Sequence, residues 1–131
     1  MIFLDTNIIS YYFNAHEGIK ERLLEKIDNN ETICTTVINV YEIQKGLKWR
    51  NNKKRESQLR DFLEDVVVFT IDDDVINIAS DIYAKLKKSG KTIGDADILI
   101  AAIVIKNNGI LVTNNTKHYE DIEQLKLTNW I

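Results

Sequence analysis

The sequence contains no proline, one cysteine and two histidines. Without proline, and without any internal repeat or low-complexity tract, it offers no linker, and its 131 residues read as a single domain spanning residues 1–131. The lone Cys34 has no partner for an internal disulfide, which points to a reducing compartment. One cysteine with His16 and His118, at no ligand spacing, argues against zinc. The longest apolar run, Ile98 to Ile105, falls far short of the roughly 20 residues that span a bilayer. "MIFLD" at the start carries no basic n-region and no long apolar stretch, so no signal peptide is expected. The expected location is the cytoplasm, away from membranes. The net charge of −3 and the pI near 5.4 give no overall excess of positive charge for nucleic acid.

The charges that are present are unevenly placed. Gln44 to Arg60 holds seven of the seventeen Lys and Arg, and "KLKKSGK" adds Lys85, Lys87, Lys88 and Lys91. These are either solvated helix faces or a basic face beside an acidic pocket. Hydrophobic residues make up 44% of the chain, the share of an ordinary globular protein.

Short apolar runs alternate with helical patterns. Strands are expected at 1–4 ("MIFL"), 31–36 ("ETICTT"), 66–71 ("VVVFTI") and 110–113 ("ILVT"), with a further one in "LKLTNW". Helices are expected over 8–13, 17–27, 37–49, 54–63, 75–88 and 93–107, the last two closed by "SG" and "NNG". This alternation implies βαβ units: an α/β fold with a mainly parallel central sheet and helices on both faces. In such sheets ligands sit beyond the carboxyl ends of the strands, near a topological switch point.

Polar residues stand at those ends. Asp5, Thr6 and Asn7 follow the first strand; one of them can cap the next helix, yet three stand in a row. Glu42 lies among Ile38, Val40, Tyr41 and Ile43, and is explained either by an ion pair with Lys45 or by a role in a site. "DDD" at 72–74 reads as a helix N-terminus, where acids suit the dipole. In "TIGDADILIAA", Thr92 and Asp95 match a capping box, which gives Asp95 a structural role. Asp97 is left over. It lies inside the helix with Ala101 and Val104 one and two turns on, and a carboxylate turned that way needs a cation or a strong donor. Asn114 and Asn115 follow "ILVT", where turn chemistry or capping would also explain them. In a parallel sheet Asp5, Glu42, Asp97 and Asn115 can meet in one crevice. Three carboxylates with amide oxygens suit a hard cation, Mg²⁺ or Mn²⁺.

"LDTN", "YEIQKG", "IGDADILIAA" and "LVTNNTKHY", in that order over nearly the whole chain, resemble the PIN domain, and more narrowly the VapC-type ribonuclease toxins of toxin–antitoxin pairs. The resemblance implies a metal-dependent endoribonuclease that cleaves RNA phosphodiester bonds with Mg²⁺ or Mn²⁺. It puts Asp5 and Asp97 forward as direct ligands and Glu42 as a ligand or water-orienting base. Thr6 would fix Asp5, and Asp95 would be supporting. It also implies a homodimer and a cognate antitoxin that blocks the pocket. Many PIN domains carry a fourth acid after the "VT" strand; here those positions hold Asn115 and His118, so Asn115 would orient water or the substrate phosphate.

Three other readings compete. A phospho-acceptor receiver domain needs an acid pair after the first strand, where only Asp5 stands. A catalytically inactive PIN-like binding or regulatory module would account for the missing fourth acid. It would not account for three retained acids, which cost stability when buried unpaired. A domain whose acids are all caps and surface pairs would not produce the ordered motifs.

Overall fold

A computed structural model describes residues 1–131. Five strands, β1 (Ile2–Leu4), β2 (Ile33–Thr36), β3 (Val67–Phe69), β4 (Ile110–Val112) and β5 (Lys126–Thr128), form one sheet in the order β3-β2-β1-β4-β5. Every pairing is parallel, with Phe3 beside Cys34 on one side and Leu111 on the other. The chain builds outward from β1 through β2 to β3, then returns to the far side of β1 with β4. The switch point therefore lies at the carboxyl ends of β1 and β4.

Seven helices cover this sheet: α1 (Thr6–Phe13), α2 (Glu17–Asp28), α3 (Val37–Trp49), α4 (Lys53–Glu64), α5 (Asp73–Lys88), α6 (Asp95–Lys106) and α7 (Thr116–Tyr119). None is long and apolar enough to cross a membrane. Alternation along β1 sorts the core into two layers. Phe3 points into a cluster with α5, α6 and Tyr119, while Ile2 and Leu4 point into one with α1 to α4 and Trp130. Both sheet faces are thus covered, as a parallel sheet requires. Helix α6 is the most deeply set: Ile98 and Ile100 to Val104 are all buried, which is why its sequence shows no polar face. Gly109 lets the chain enter β4 against β1. A Cβ there would lie 2.5 Å from two ring atoms of the fully buried Phe3.

Several expectations need correction. Thr92 does not cap α6. Gly94 occupies the cap position in extended conformation, and Asp95 is the first helical residue, so the local capping pattern yields to the path of the chain. The strand at 66–71 shortens to Val67–Phe69, an edge strand with Val67 and Val68 partly exposed. Helix α1 begins at Thr6 rather than at residue 8, and α7 was not expected at all. "DDD" does open a helix: Asp72 caps α5, and Lys106 at the end of α6 pairs with Asp72 and Asp74. Cys34 is buried in the sheet, and burial pushes its thiol up to about 11, so it stays protonated and inert.

Candidate active site

Asp5 stands where β1 runs out, at the switch point, and is only 5% exposed. It caps α1 through its own neighbour: Oδ1 accepts from the Thr6 N–H at 2.9 Å. Three further donors converge on the same carboxylate. Asn39 Nδ2 donates to Oδ1 at 2.9 Å, Thr113 Oγ1 donates to Oδ2 at 2.7 Å, and the Tyr119 hydroxyl reaches Oδ2 at 3.5 Å. All four donors are neutral. No Lys or Arg forms an ion pair with Asp5, Glu42 or Asp97. A buried carboxylate served only by neutral donors is held in place but not neutralised.

The same network reaches Glu42. Asn39 Nδ2 also donates to Thr6 Oγ1 at 3.0 Å, and that hydroxyl donates to Glu42 Oε1 at 3.0 Å. Asn39 is itself fixed, since its Oδ1 accepts from Thr36 Oγ1 at 2.7 Å. Glu42 makes no ion pair with Lys45, whose ammonium instead lies 5.0 Å from the centre of the Tyr41 ring.

Asp97 is less enclosed than its sequence neighbours suggest. It sits in the first turn of α6, and side chains on a helix lean toward its N-terminus, so the carboxylate turns outward rather than onto Ala101 and Val104. Its side chain is 28% exposed. Oδ1 accepts from the Tyr119 hydroxyl at 3.2 Å, and His118 Nδ1 stands 3.4 Å from Oδ2. Tyr119 therefore bridges Asp5 and Asp97 from below. Burial holds its phenol proton far above the usual range, and the charges of Asp5, Asp97 and Glu42 push in the same direction.

Asp5, Thr6, Glu42, Asp97 and Asn115 line one cleft of about 420 Å³ with Asn7, Ser10, Tyr11 and Asn14. Three acids and no base line it. The structure thus brings Asp5, Glu42, Asp97, Asn115 and Thr6 together, as expected. It leaves Asp95 exposed and outside the cleft. The exposed Asn115 opens α7 without capping it by its side chain, so its amide stays free toward the cleft. Sequence reasoning missed Asn39, Thr113 and Tyr119. Asn39 carried one signal, a polar residue one turn before Glu42 on the same helix. Thr113 carried another, a hydroxyl where an apolar strand ends.

The PIN domain family profile matches residues 2–123. The chain belongs to the PIN domain family. Within it the likeness is to the VapC group. The chain is 34% identical to Ribonuclease VapC2 of Rickettsia felis over 97% of this chain and 96% of that protein. It is 35% identical to Ribonuclease VapC1 of Methanocaldococcus jannaschii over 96% of this chain and 84% of that one. The crystal structure of VapBC2 from Rickettsia felis bound to a promoter DNA fragment superposes with a TM-score of 0.89, at 33% identity and full coverage of both chains. Within this PIN domain, Tyr119→Phe tests the bridge between the two aspartates. Loss of a hydrogen bond to a charged group lowers stability in EDTA by about 1.5 kcal/mol. The check is urea unfolding, and an unchanged midpoint would show that the phenol contributes nothing net.

Proposed function

We propose that this chain is a metal-dependent endoribonuclease, the toxin of a toxin–antitoxin pair. The observation that carries the reading is the cleft at the switch point, which Asp5, Glu42 and Asp97 line together with no Lys or Arg beside them. The donor set fits a hard divalent ion. No group of three or more acidic, His or Cys side chains is arranged to hold a metal ion, so the reading rests on fewer carboxylates: Mg²⁺ is usually held by one or two and keeps the rest of its shell for water and substrate phosphate. Asp5 and Asp97 are the ligands in this reading, and Glu42 is a third ligand or the base that orients water.

The chemistry such an ion supplies when bound is Lewis acidity, which acidifies water and offsets charge on phosphate. The chain's own residues do the rest. Asn39, Thr113, Thr6 and Tyr119 hold Asp5 in one rotamer, so little reorganisation is needed as charge develops. Glu42, held by the Thr6 hydroxyl at 3.0 Å, orients the attacking water where it is not itself a ligand. Asn115, which lines the cleft with its amide uncommitted, orients water or the scissile phosphate.

The relatives are named as ribonucleases, and the solved neighbours from Rickettsia felis and Salmonella typhimurium are VapBC assemblies bound to DNA. These support an RNA substrate and an antitoxin partner here. The reading also includes a homodimer and a cytoplasmic location. The test is Mn²⁺ titration by calorimetry alongside an RNA cleavage assay. Saturable binding, with cleavage abolished by EDTA and restored by Mn²⁺, is expected. Cleavage that persists undiminished in EDTA would overturn metal dependence. Binding without cleavage of any RNA would favour an inactive PIN-like binding module.

A further inference from the structure

His118 has no part in the reading above, yet it stands against one of the three acids of the cleft. Its Nδ1 lies 3.4 Å from Asp97 Oδ2, while the Tyr119 hydroxyl donates to Oδ1 of the same carboxylate at 3.2 Å. Tyr119 is buried in the core beside α5 and α6, so it anchors α7 and carries its neighbour His118 to Asp97. The separation is long for a ring N–H donating to an oxygen, whose usual range ends near about 3.2 Å. It is close to the spacing of two neighbouring ligands on one octahedral ion, about 3 Å for bonds of about 2.1 Å. As they stand, no three acidic, His or Cys side chains surround one point. Closing on an ion therefore takes a movement, and the imidazole, 64% exposed, is free to make it by a small rotation. The other histidine is not free, since His16 Nδ1 accepts from the Ile19 N–H and caps α2.

We propose that His118 is a nitrogen ligand to the cation of the cleft, beside Asp97, and that it biases the site toward the transition ion Mn²⁺ over Mg²⁺. The proposal rests on the reading of the cleft as a metal site and decides between the two ions that reading allows. The reason is donor chemistry. Every side chain that lines the cleft offers a cation oxygen only, from carboxylate, hydroxyl or amide. Such hard donors serve Mg²⁺ and Mn²⁺ alike, whereas an imidazole nitrogen is softer and favours first-row transition ions. His118 is the group beside that lining with a nitrogen to give. An imidazole that merely steadied Asp97 through a hydrogen bond would act on both ions equally.

The probe is Mn²⁺ alone, added to protein stripped with EDTA and dialysed, and followed by electron paramagnetic resonance with Mg²⁺ as competitor. Pulsed spectra of bound Mn²⁺ are expected to show coupling to one imidazole nitrogen, which His118→Ala abolishes. The ratio of the Mg²⁺ to the Mn²⁺ dissociation constant is expected to fall about tenfold in His118→Ala. His118→Glu restores a ligand, but one of oxygen, so it recovers Mn²⁺ affinity and recovers neither the ratio nor the coupling. Circular dichroism checks the fold of both variants. Nitrogen coupling that is absent from the wild type, or that survives in His118→Ala, overturns the proposal. So does equal weakening of both ions in His118→Ala, which makes the imidazole a prop for Asp97. The two claims fail differently. Saturable Mn²⁺ binding without the coupling sinks the nitrogen ligand and leaves the carboxylate metal site standing, whereas no saturable binding sinks that site and this ligand together.

Discussion

Asp97→Asn lowers RNA cleavage by about a thousandfold, equivalent to about 4 kcal/mol of transition-state stabilisation, and leaves the fold intact. The substitution keeps shape and removes charge. The amide oxygen can still accept from the Tyr119 hydroxyl, now at 3.2 Å from Oδ1, so α7 stays docked. What is lost is one of three negative charges in a cleft whose lining holds no base. A divalent cation then binds more weakly, and the phosphate it would have neutralised is repelled by what remains. Stability in EDTA moves the other way. With no cation present the three carboxylates repel one another, and removing one charge relieves that repulsion. Urea unfolding in EDTA should therefore place the variant at or above the wild type, while cleavage rates place it far below. Full activity in the variant would remove Asp97 from the site. A large loss of stability would make it a structural residue whose activity defect is secondary.

The first strand was readable because its signal is local. Four apolar residues followed by three polar ones describe both a buried strand and its functional end. The limits of α3 were readable for the same reason: Thr36 caps it, and apolar residues recur at helical spacing through Trp49. The start of α6 was misread because "TIGD" satisfies a capping pattern that depends only on neighbours in sequence. Whether Thr92 turns toward Asp95 depends on how the chain leaves α5, and in the structure it does not. Helix α7 spans one turn, too short for periodicity to register. The supporting residues were hidden for a deeper reason. Asn39, Thr113 and Tyr119 reach Asp5 from 34, 108 and 114 residues away in the sequence. Acids at strand ends announce a site by their type and position. The neutral groups that hold such acids announce themselves only when the chain is folded, because threonine, asparagine and tyrosine have many other uses.

That distinction gives Asn39→Ala an expected signature different from that of Asp97→Asn. The Asn39 side chain is fully buried and joins three groups: it donates to Asp5 and Thr6 and accepts from Thr36. Truncation leaves the Thr36 hydroxyl without its acceptor and Asp5 Oδ1 with the Thr6 amide alone. Leaving such buried groups unsatisfied costs about 1–3 kcal/mol each, so global stability falls by about 2–4 kcal/mol. Asp5 is then free to rotate, and Thr6 loses the donor that orients its hydroxyl toward Glu42. Partners of this kind around a metal ligand are worth about 10- to 100-fold in affinity. Mn²⁺ titration should show a loss in that range at unchanged stoichiometry, because the carboxylates themselves remain. Urea unfolding supplies the other half of the signature, a midpoint below the wild type with and without Mn²⁺. If Asn39→Ala bound Mn²⁺ as tightly as the wild type, Asp5 would be held well enough by Thr113, Tyr119 and the Thr6 amide. The buried amide would then serve only to join α3 to α1. If it lost affinity without losing stability, the network would be a device of the site rather than of the fold.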